Sequence, residues 1–147
     1  MIRTIQQADR EAYLTMAKEF YSSEAVAHSI PEKHILDTFD ELMRSDVYAQ
    51  AYILEKDGET AGYALLAKTF SQEGGGLTVW LEEIYVRPEY RGCGLGREFF
   101  AFWKEQYGDF RRFRLEVEPD NAGALRLYAR MGFRPLDYRQ MVWEEEA

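Results

Sequence analysis

The apolar residues of the chain change their spacing several times, and each change predicts a new element of structure. Intervals of three and four residues predict four helices with one apolar face each. These faces carry Tyr13, Met16, Ala17, Phe20 and Tyr21; Ile35, Phe39, Leu42 and Met43; Leu95, Phe99, Phe102 and either Phe100 or Trp103; and Ala124, Leu127, Tyr128 and Met131. Asp9 is the expected cap of the first helix, and Pro31 lies near the start of the second.

Runs of β-branched and aromatic residues between these helices predict the strands. They cover residues 1–5, 47–55, 60–70, 77–86 and 111–117, with one or two short strands around Pro135 near the end. Asp57-Gly58 predicts a tight hairpin, and the strand, helix, strand order after residue 77 predicts one parallel pair. The expected fold class is α/β (α+β), a mixed, mostly antiparallel sheet flanked by helices in a single domain, residues 1–147.

A glycine-rich turn, RGCGLG at residues 91–96, joins the strand 77–86 to the third helix. The first N–H groups of a helix lack backbone partners, and the helix dipole favours negative charge there. Gly92, Gly94 and Gly96 would therefore let a phosphate approach the main chain, and three arginines add positive charge around it: Arg87, Arg91 and Arg97. The alternative is a turn that only connects a strand to a helix.

Known phosphate-binding patterns narrow the choice of ligand. The nucleotide-triphosphate loop requires a Lys followed by Ser or Thr, which this turn lacks. The dinucleotide fingerprint requires Gly or Ala where Arg97 stands, although Glu116 lies near the position of a ribose-binding acid. The pattern R-x-x-G-x-G remains, and Arg91, Gly94 and Gly96 satisfy it.

Together with N-x-x-A-L-R-L-Y at residues 121–128 and the R-M-G-F that follows, this loop resembles the GNAT superfamily of acetyl-coenzyme A-dependent N-acetyltransferases. The resemblance is close over residues 77–133 and weakest over residues 1–46, where substrate choice is made. It implies a coenzyme A site in which Asn121 contacts the coenzyme and the hydroxyl of Tyr128 lies near the sulfur. The implied coenzyme-binding residues are Ile84, Tyr85, Val86, Arg91, Gly92, Cys93, Gly94, Leu95, Gly96, Arg97, Asn121 and Tyr128.

Acetyl transfer to an amine needs an acceptor for the ammonium proton and a donor for the leaving thiolate. Glu82 and Glu83 are the candidate acceptors of the ammonium proton, and the resemblance favours Glu82. Because adjacent strand residues face opposite sides, only one of them is expected in the cleft, with a bulge as the feature that would reverse this assignment. Tyr128 is the candidate donor. The structural alternatives are strand-edge acids paired to arginines and a tyrosine that belongs to the core.

Composition limits the classes of partner. The 147 residues contain 18 Lys and Arg against 26 Asp and Glu, a net charge of −8, which argues against nucleic acid and favours cationic partners. The single cysteine, Cys93, predicts no disulfide framework, and the spacing of His28 and His34 predicts no metal site. We find no apolar leader or long hydrophobic span, so we expect a cytoplasmic protein without a membrane segment.

These observations predict an N-acetyltransferase that moves an acetyl group from acetyl-CoA directly to a primary amine, with a small cationic amine as the acceptor. The alternatives are a protein N-terminus or lysine as acceptor and a non-catalytic acyl-CoA-binding sensor. Acids expected to line the acceptor cleft, together with Glu82 and Glu83, are Glu24, Glu32, Asp37, Asp40 and Glu41. Apolar residues expected to form an edge strand covered in a homodimer are Tyr138, Met141, Val142 and Trp143.

Overall fold

In a computed structural model that describes residues 1–23, 26 and 28–145, the chain forms a five-stranded sheet with helices on both faces. The strands are β1 (Ile2–Thr4), β2 (Ala49–Lys56), β3 (Glu59–Ser71), β4 (Gly76–Val86) and β5 (Arg112–Leu115). The helices are α1 (Arg10–Tyr21), α2 (Glu32–Arg44), α3 (Leu95–Gln106) and α4 (Ala122–Arg130). The strand order is β1-β2-β3-β4-β5, antiparallel except for the parallel pair β4 and β5, so the expected sheet is confirmed.

Alternation along the strands divides the core into two layers, because successive side chains point to opposite faces of a sheet. One layer packs the sheet against α1 and α2 and contains Tyr13, Met16, Phe20, Ile35, Phe39, Ile53, Tyr63, Leu65 and Tyr85. The other packs it against α3 and contains Tyr52, Leu54, Leu66, Val79, Leu81, Phe99, Phe100 and Trp103. The predicted hairpin joins β2 to β3, with Asp57 and Gly58 at φ angles of 53° and 79°.

A β-bulge interrupts β4 at Glu82. Leu81 lies opposite Leu66 of β3 and Glu83 lies opposite Leu65, so Glu82 has no opposite residue. A bulge bends and twists its strand. The parallel pairing of β4 with β5 also ends at this level, at Leu81 and Leu115, although β4 continues to Val86. The two strands diverge from there and leave a cleft between them.

Two expectations about the ends of elements need correction. Asp9 is the N-cap residue of α1 as expected, but its carboxylate makes no capping hydrogen bond, because it accepts hydrogen bonds from the Gln6 N–H at 2.8 Å and from the Arg3 guanidinium at 2.9 Å. Within the described part of the chain, residues 134–145 form no strand. These residues are exposed and Pro135 has no N–H to donate, so the segment gains neither a hydrogen-bonded ladder nor a buried face. None of the described helices is long and apolar enough to cross a membrane.

Candidate active site

The glycine-rich turn leads directly into α3. Gly94 is the N-cap of α3 with a φ of +83°, a left-handed conformation that side-chain-bearing residues rarely adopt. The Glu98 N–H donates to the Gly94 carbonyl at 2.9 Å and begins the helical ladder, so the N–H groups of residues 95–97 precede it. A Cβ built at Gly92, Gly94 or Gly96 meets nothing within 4 Å, so the turn faces open space where an anion can approach the backbone.

The three arginines near this turn have different environments. Arg91 donates through Nε to the Val86 carbonyl at 2.8 Å and lies over the Tyr85 ring at 5.7 Å, so it braces the turn against the end of β4. Arg87 donates to the Thr60 carbonyl at 2.9 Å and therefore holds β4 to β3. Arg97 is exposed on the first turn of α3.

Helix α4 contributes the second predicted motif. Asn121 is its N-cap, and its side-chain oxygen accepts the Ala124 N–H at 3.1 Å, which leaves the side-chain NH₂ group to bind a ligand. Tyr128 packs its ring against Phe100 and Phe133, with centroid distances of 5.5 and 6.3 Å. Burial raises the pKa of Tyr128, which keeps the phenol protonated as a proton donor must be.

A cavity of about 600 Å³ occupies the fork between β4 and β5, bordered by the end of α1 and the start of α4. Glu82, Glu83, Asn121 and Tyr128 all line it. The expectation that only one of Glu82 and Glu83 would face the cleft is wrong, because the bulge removes Glu82 from the regular alternation. The structure thus brings the three candidate catalytic side chains to one cavity.

The two acids differ in their partners. Glu83 accepts a hydrogen bond from the Tyr63 hydroxyl at 2.7 Å and another from the Tyr21 hydroxyl. Desolvation raises the pKa of Glu83, and these two hydrogen bonds oppose the increase. The Glu82 side chain reaches the solvent of the cavity, yet desolvation by the surrounding protein raises its pKa, and the charges of Glu116 and Glu83 raise it further.

Sequence reasoning missed the role of Glu116 in this cavity. Glu116 follows Leu115 as Glu82 follows Leu81, so each is the first residue beyond the paired part of its strand. Both line the cavity. A signal for the bulge was present in β4, since the apolar alternation of Val79 and Leu81 changes phase at Ile84 and Val86.

Comparison with known proteins identifies the family of this fold. The model of the acetyltransferase (GNAT) family matches residues 10–133. The chain belongs to the GNAT acetyltransferase family. This confirms the resemblance that the two motifs indicated, and the chain is an acyltransferase.

Relatives of this acetyltransferase include a candidate ribosomal protein bS18-alanine N-acetyltransferase of Bacillus subtilis (strain 168), 31% identical over 83% of this chain and 78% of the relative. The thialysine N-epsilon-acetyltransferase of Sus scrofa is 30% identical over 92% of this chain and 85% of its own length. A similar solved structure is that of aminoglycoside N-acetyltransferase AAC(6')-Iy in complex with CoA. Its TM-score is 0.78 at 19% identity, covering 100% of this chain and 95% of that one.

Of the acids expected in the cleft, Glu82 and Glu83 line this GNAT cavity, and its other negative charges come from acids that were not expected there. Five carboxylates of the described residues line it: Glu82, Glu83, Glu116, Glu118 and Glu144. No lysine or arginine is found among the described lining residues, which include His28 and Trp80. The indole ring of Trp80 is also covered by the Arg114 guanidinium at 4.1 Å.

The acids of α2 do not belong to the cavity wall, so that expectation is wrong for the four that the structure describes. Glu32, Asp37 and Glu41 pair with cations on the surface of the helical region, namely Lys18, Lys33 and Arg44. Asp40 is exposed on α2, as is His34, and Glu24 lies outside the described residues. Cys93 is exposed in the glycine-rich turn, and the described residues contain no cluster of His, Cys, Asp and Glu that could hold a metal ion.

Proposed function

We propose that this acetyltransferase transfers the acetyl group of acetyl-CoA to a primary amine of a small molecule that carries additional positive charge. The observation that carries this proposal is the cavity lined by five carboxylates and, in its described part, by no lysine or arginine. A cavity of one sign concentrates ligands of the opposite sign. The thialysine and aminoglycoside acetyltransferases among the similar proteins also act on amines, as their names state.

The coenzyme is proposed to bind along β4 and across the glycine-rich turn. Beyond Leu81 the edge of β4 has no β5 residue opposite it, so the backbone groups of residues 84–86 on this edge are available to pair with the pantetheine arm, apart from the Val86 carbonyl that accepts the Arg91 Nε–H. The pyrophosphate then lies at the N-terminus of α3, on residues 91–97. The side-chain NH₂ of Asn121 is the proposed contact from α4.

In the proposed reaction the amine nitrogen attacks the thioester carbonyl and the carbon–sulfur bond breaks. Glu82 accepts the proton of the ammonium group, directly or through water. Its raised pKa lies closer to the pKa of the ammonium group than the pKa of an ordinary carboxylate does, which favours this transfer. Tyr128 donates its proton to the thiolate that leaves, and it regains a proton from the nitrogen, which loses its second proton as the amide forms. Backbone N–H groups of β4 polarise the carbonyl during the attack.

A thiol-release assay tests this proposal. Acetyl-CoA is offered with polyamines, aminoglycosides, basic and acidic amino acids, neutral amines and peptides. We expect cations with two or more charges to give the highest kcat/KM, and we expect this value to fall as ionic strength rises, since screening acts within ~8 Å at physiological salt. A preference for acidic or neutral amines, or a rate for the best cation that ignores salt, would contradict the proposal.

A peptide amino terminus is the second candidate acceptor, because the Bacillus subtilis relative is named for acetylation of an alanine of a ribosomal protein. The same assay separates the two candidates when it includes peptides that begin with alanine. A kcat/KM for such a peptide that exceeds that of every polyamine and aminoglycoside would favour the protein substrate.

Three properties of the whole protein complete the proposal. Residues 1–147 form one acetyltransferase domain, and a cytoplasmic location agrees with a sequence whose single cysteine is unpaired. Self-association is supported by the exposed apolar residues near the end of the chain, Tyr138, Met141, Val142 and Trp143. Sedimentation at micromolar concentration tests it, and a species of only 17.2 kDa would exclude a stable dimer.

A further inference from the structure

Two tyrosines hold Glu83 from elements that are distant in the sequence. Tyr21 is the last residue of α1 and lies in the cavity wall, whereas Tyr63 is in the middle of β3 and fully buried behind Glu83. The Tyr21 hydroxyl donates to one oxygen of Glu83, and the Tyr63 hydroxyl donates to the other at 2.7 Å. Tyr63 is itself held by Tyr13, whose ring packs edge-on at 5.1 Å.

The partners of Glu83 are neutral, which is unusual for a carboxylate that the protein desolvates. Such carboxylates are normally paired with a cation or become protonated. Burial raises the pKa of Tyr13 on α1, and Tyr13 lies near enough to Glu83 for that charge to raise the pKa further. The other titratable groups among the described residues that line the cavity with Glu83 and Tyr21 are Glu82, Glu116, Glu118, Glu144, His28 and Tyr128. No described lysine or arginine forms an ion pair with Glu83. Two phenols stabilise the anion without cancelling its charge.

We propose that Tyr21 and Tyr63 are positioning residues that keep Glu83 ionised and turned toward the cavity, where it binds a positively charged group of the acceptor. This inference rests on the proposed function and gives the two adjacent acids different tasks. Glu82, at the bulge and with no hydrogen-bonding side chain among the described residues, takes the proton. Glu83 keeps a constant charge and binds the cation, since each of its oxygens retains a further lone pair for an ammonium group.

The proposal predicts the effect of removing either hydroxyl. The two hydrogen bonds lower the pKa of Glu83, so their loss raises it. Below the new pKa the carboxyl is neutral and the acceptor binds weakly, whereas well above it Glu83 is ionised again. A loss of affinity that shrinks as the pH rises therefore separates this role from a packing defect, which would persist at every pH.

The test compares Tyr21→Phe and Tyr63→Phe with Tyr52→Phe. Tyr52 is buried in the other core layer and shares a hydrogen bond of 2.9 Å with the Tyr107 hydroxyl. Tyr52→Phe therefore removes a buried, hydrogen-bonded hydroxyl that does not contact Glu83, and it serves as the control. The ionisation of Glu83 is followed by ¹³C NMR of the side-chain carboxyl carbons, with its signal assigned by Glu83→Gln. Kinetics with the best cationic acceptor give KM and kcat across the pH range.

We expect the pKa of Glu83 to rise in Tyr21→Phe and in Tyr63→Phe and to stay unchanged in Tyr52→Phe. We also expect KM for the cationic acceptor to rise about tenfold at low pH, with kcat within about twofold, since a hydrogen bond to a charged group has this scale. An unchanged pKa of Glu83, or a loss confined to kcat, would overturn the inference. The titration needs no turnover, so it still decides the ionisation of Glu83 if no amine is acetylated and the proposed function fails.

Discussion

The proposed coenzyme side and the proposed acceptor side of the site are built from different kinds of contact. On the coenzyme side, hydrogen bonds join neighbours in the sequence: Glu98 to Gly94, Ala124 to Asn121 and Arg91 to Val86. On the acceptor side, Tyr21 and Tyr63 reach Glu83 from positions 62 and 20 residues away. Backbone geometry therefore determines the first half, and side-chain chemistry determines the second. Substitutions on one side should therefore impair the binding of one substrate and leave the binding of the other unchanged.

Gly94→Val should abolish the binding of acetyl-CoA without affecting the acceptor side, and it has the largest expected effect. Valine at a φ of +83° is strained, and its side chain would occupy the open space in front of the first turn of α3. We expect calorimetry to detect no acetyl-CoA binding in a protein that stays folded. Gly75→Val is the matched control, because Gly75 has a φ of +84° and open surroundings in the turn before β4. Equal affinity in both variants would contradict the assignment of the loop.

Tyr128→Phe should affect the chemical step at the boundary between the two halves. The ring contacts with Phe100 and Phe133 remain, and only the proton donor is lost. We expect kcat to fall by about 10²- to 10⁴-fold with little change in the affinity for coenzyme A. Tyr107→Phe, in the core layer against α3, controls for the loss of a phenol. Full activity in Tyr128→Phe would exclude its role as the acid.

Glu82→Gln should sharpen the distinction between the two acids of the acceptor side. We expect kcat to fall by about 10²-fold, and most strongly between the raised pKa of Glu82 and the pKa of the amine, where the wild-type carboxylate is ionised and the amine is protonated. The loss should shrink at high pH, where free amine is present. Glu59→Gln, exposed at the start of β3, is the control in pH–rate profiles. A larger loss of kcat in Glu83→Gln would assign the proton transfer to Glu83.

Glu116→Gln should have the smallest effect and should act only through charge. The negative charge of Glu116 raises the pKa of Glu82, so its removal lowers that pKa. Glu82 then stays ionised to a lower pH, and the acid limb of the kcat profile should move toward lower pH while the plateau changes little. A limb that stays in place, or one that moves upward, would show that Glu116 does not act on Glu82.

The sequence predicted the turn and the helix cap of the proposed coenzyme side well because their contacts are local. A glycine pattern between a strand and a helix specifies the turn at residues 91–96, and the N-cap of α4 is visible as Asn121 before a periodic apolar run. Tyr128 then reaches the cavity through the helical repeat alone. Each of these features depends on residues within about two helical turns of one another.

The acceptor side was predicted less well because pairing between strands decides it. The bulge at Glu82 is a property of the register between β3 and β4, and the position of Glu116 depends on where β4 and β5 separate. The acids of α2 were expected in the cleft because of their charge, but Asp37 and Glu41 pair with cations of the same helix on its surface. Charge counted along the chain does not say which face of a helix it occupies.

The bulge also separates folding from chemistry in a way that concerns insertions and deletions. If Glu82 is omitted, the side chains of β4 alternate without interruption: Val79, Leu81, Ile84 and Val86 face α3, and Trp80, Glu83 and Tyr85 face the other side. Glu82 is thus an inserted residue in an otherwise regular strand. Deletion of one residue from a central strand normally reverses every later side chain. Here the same deletion should remove Glu82 together with the bulge and still preserve the pattern of burial, so a one-residue deletion that would unfold most strands should leave a folded domain.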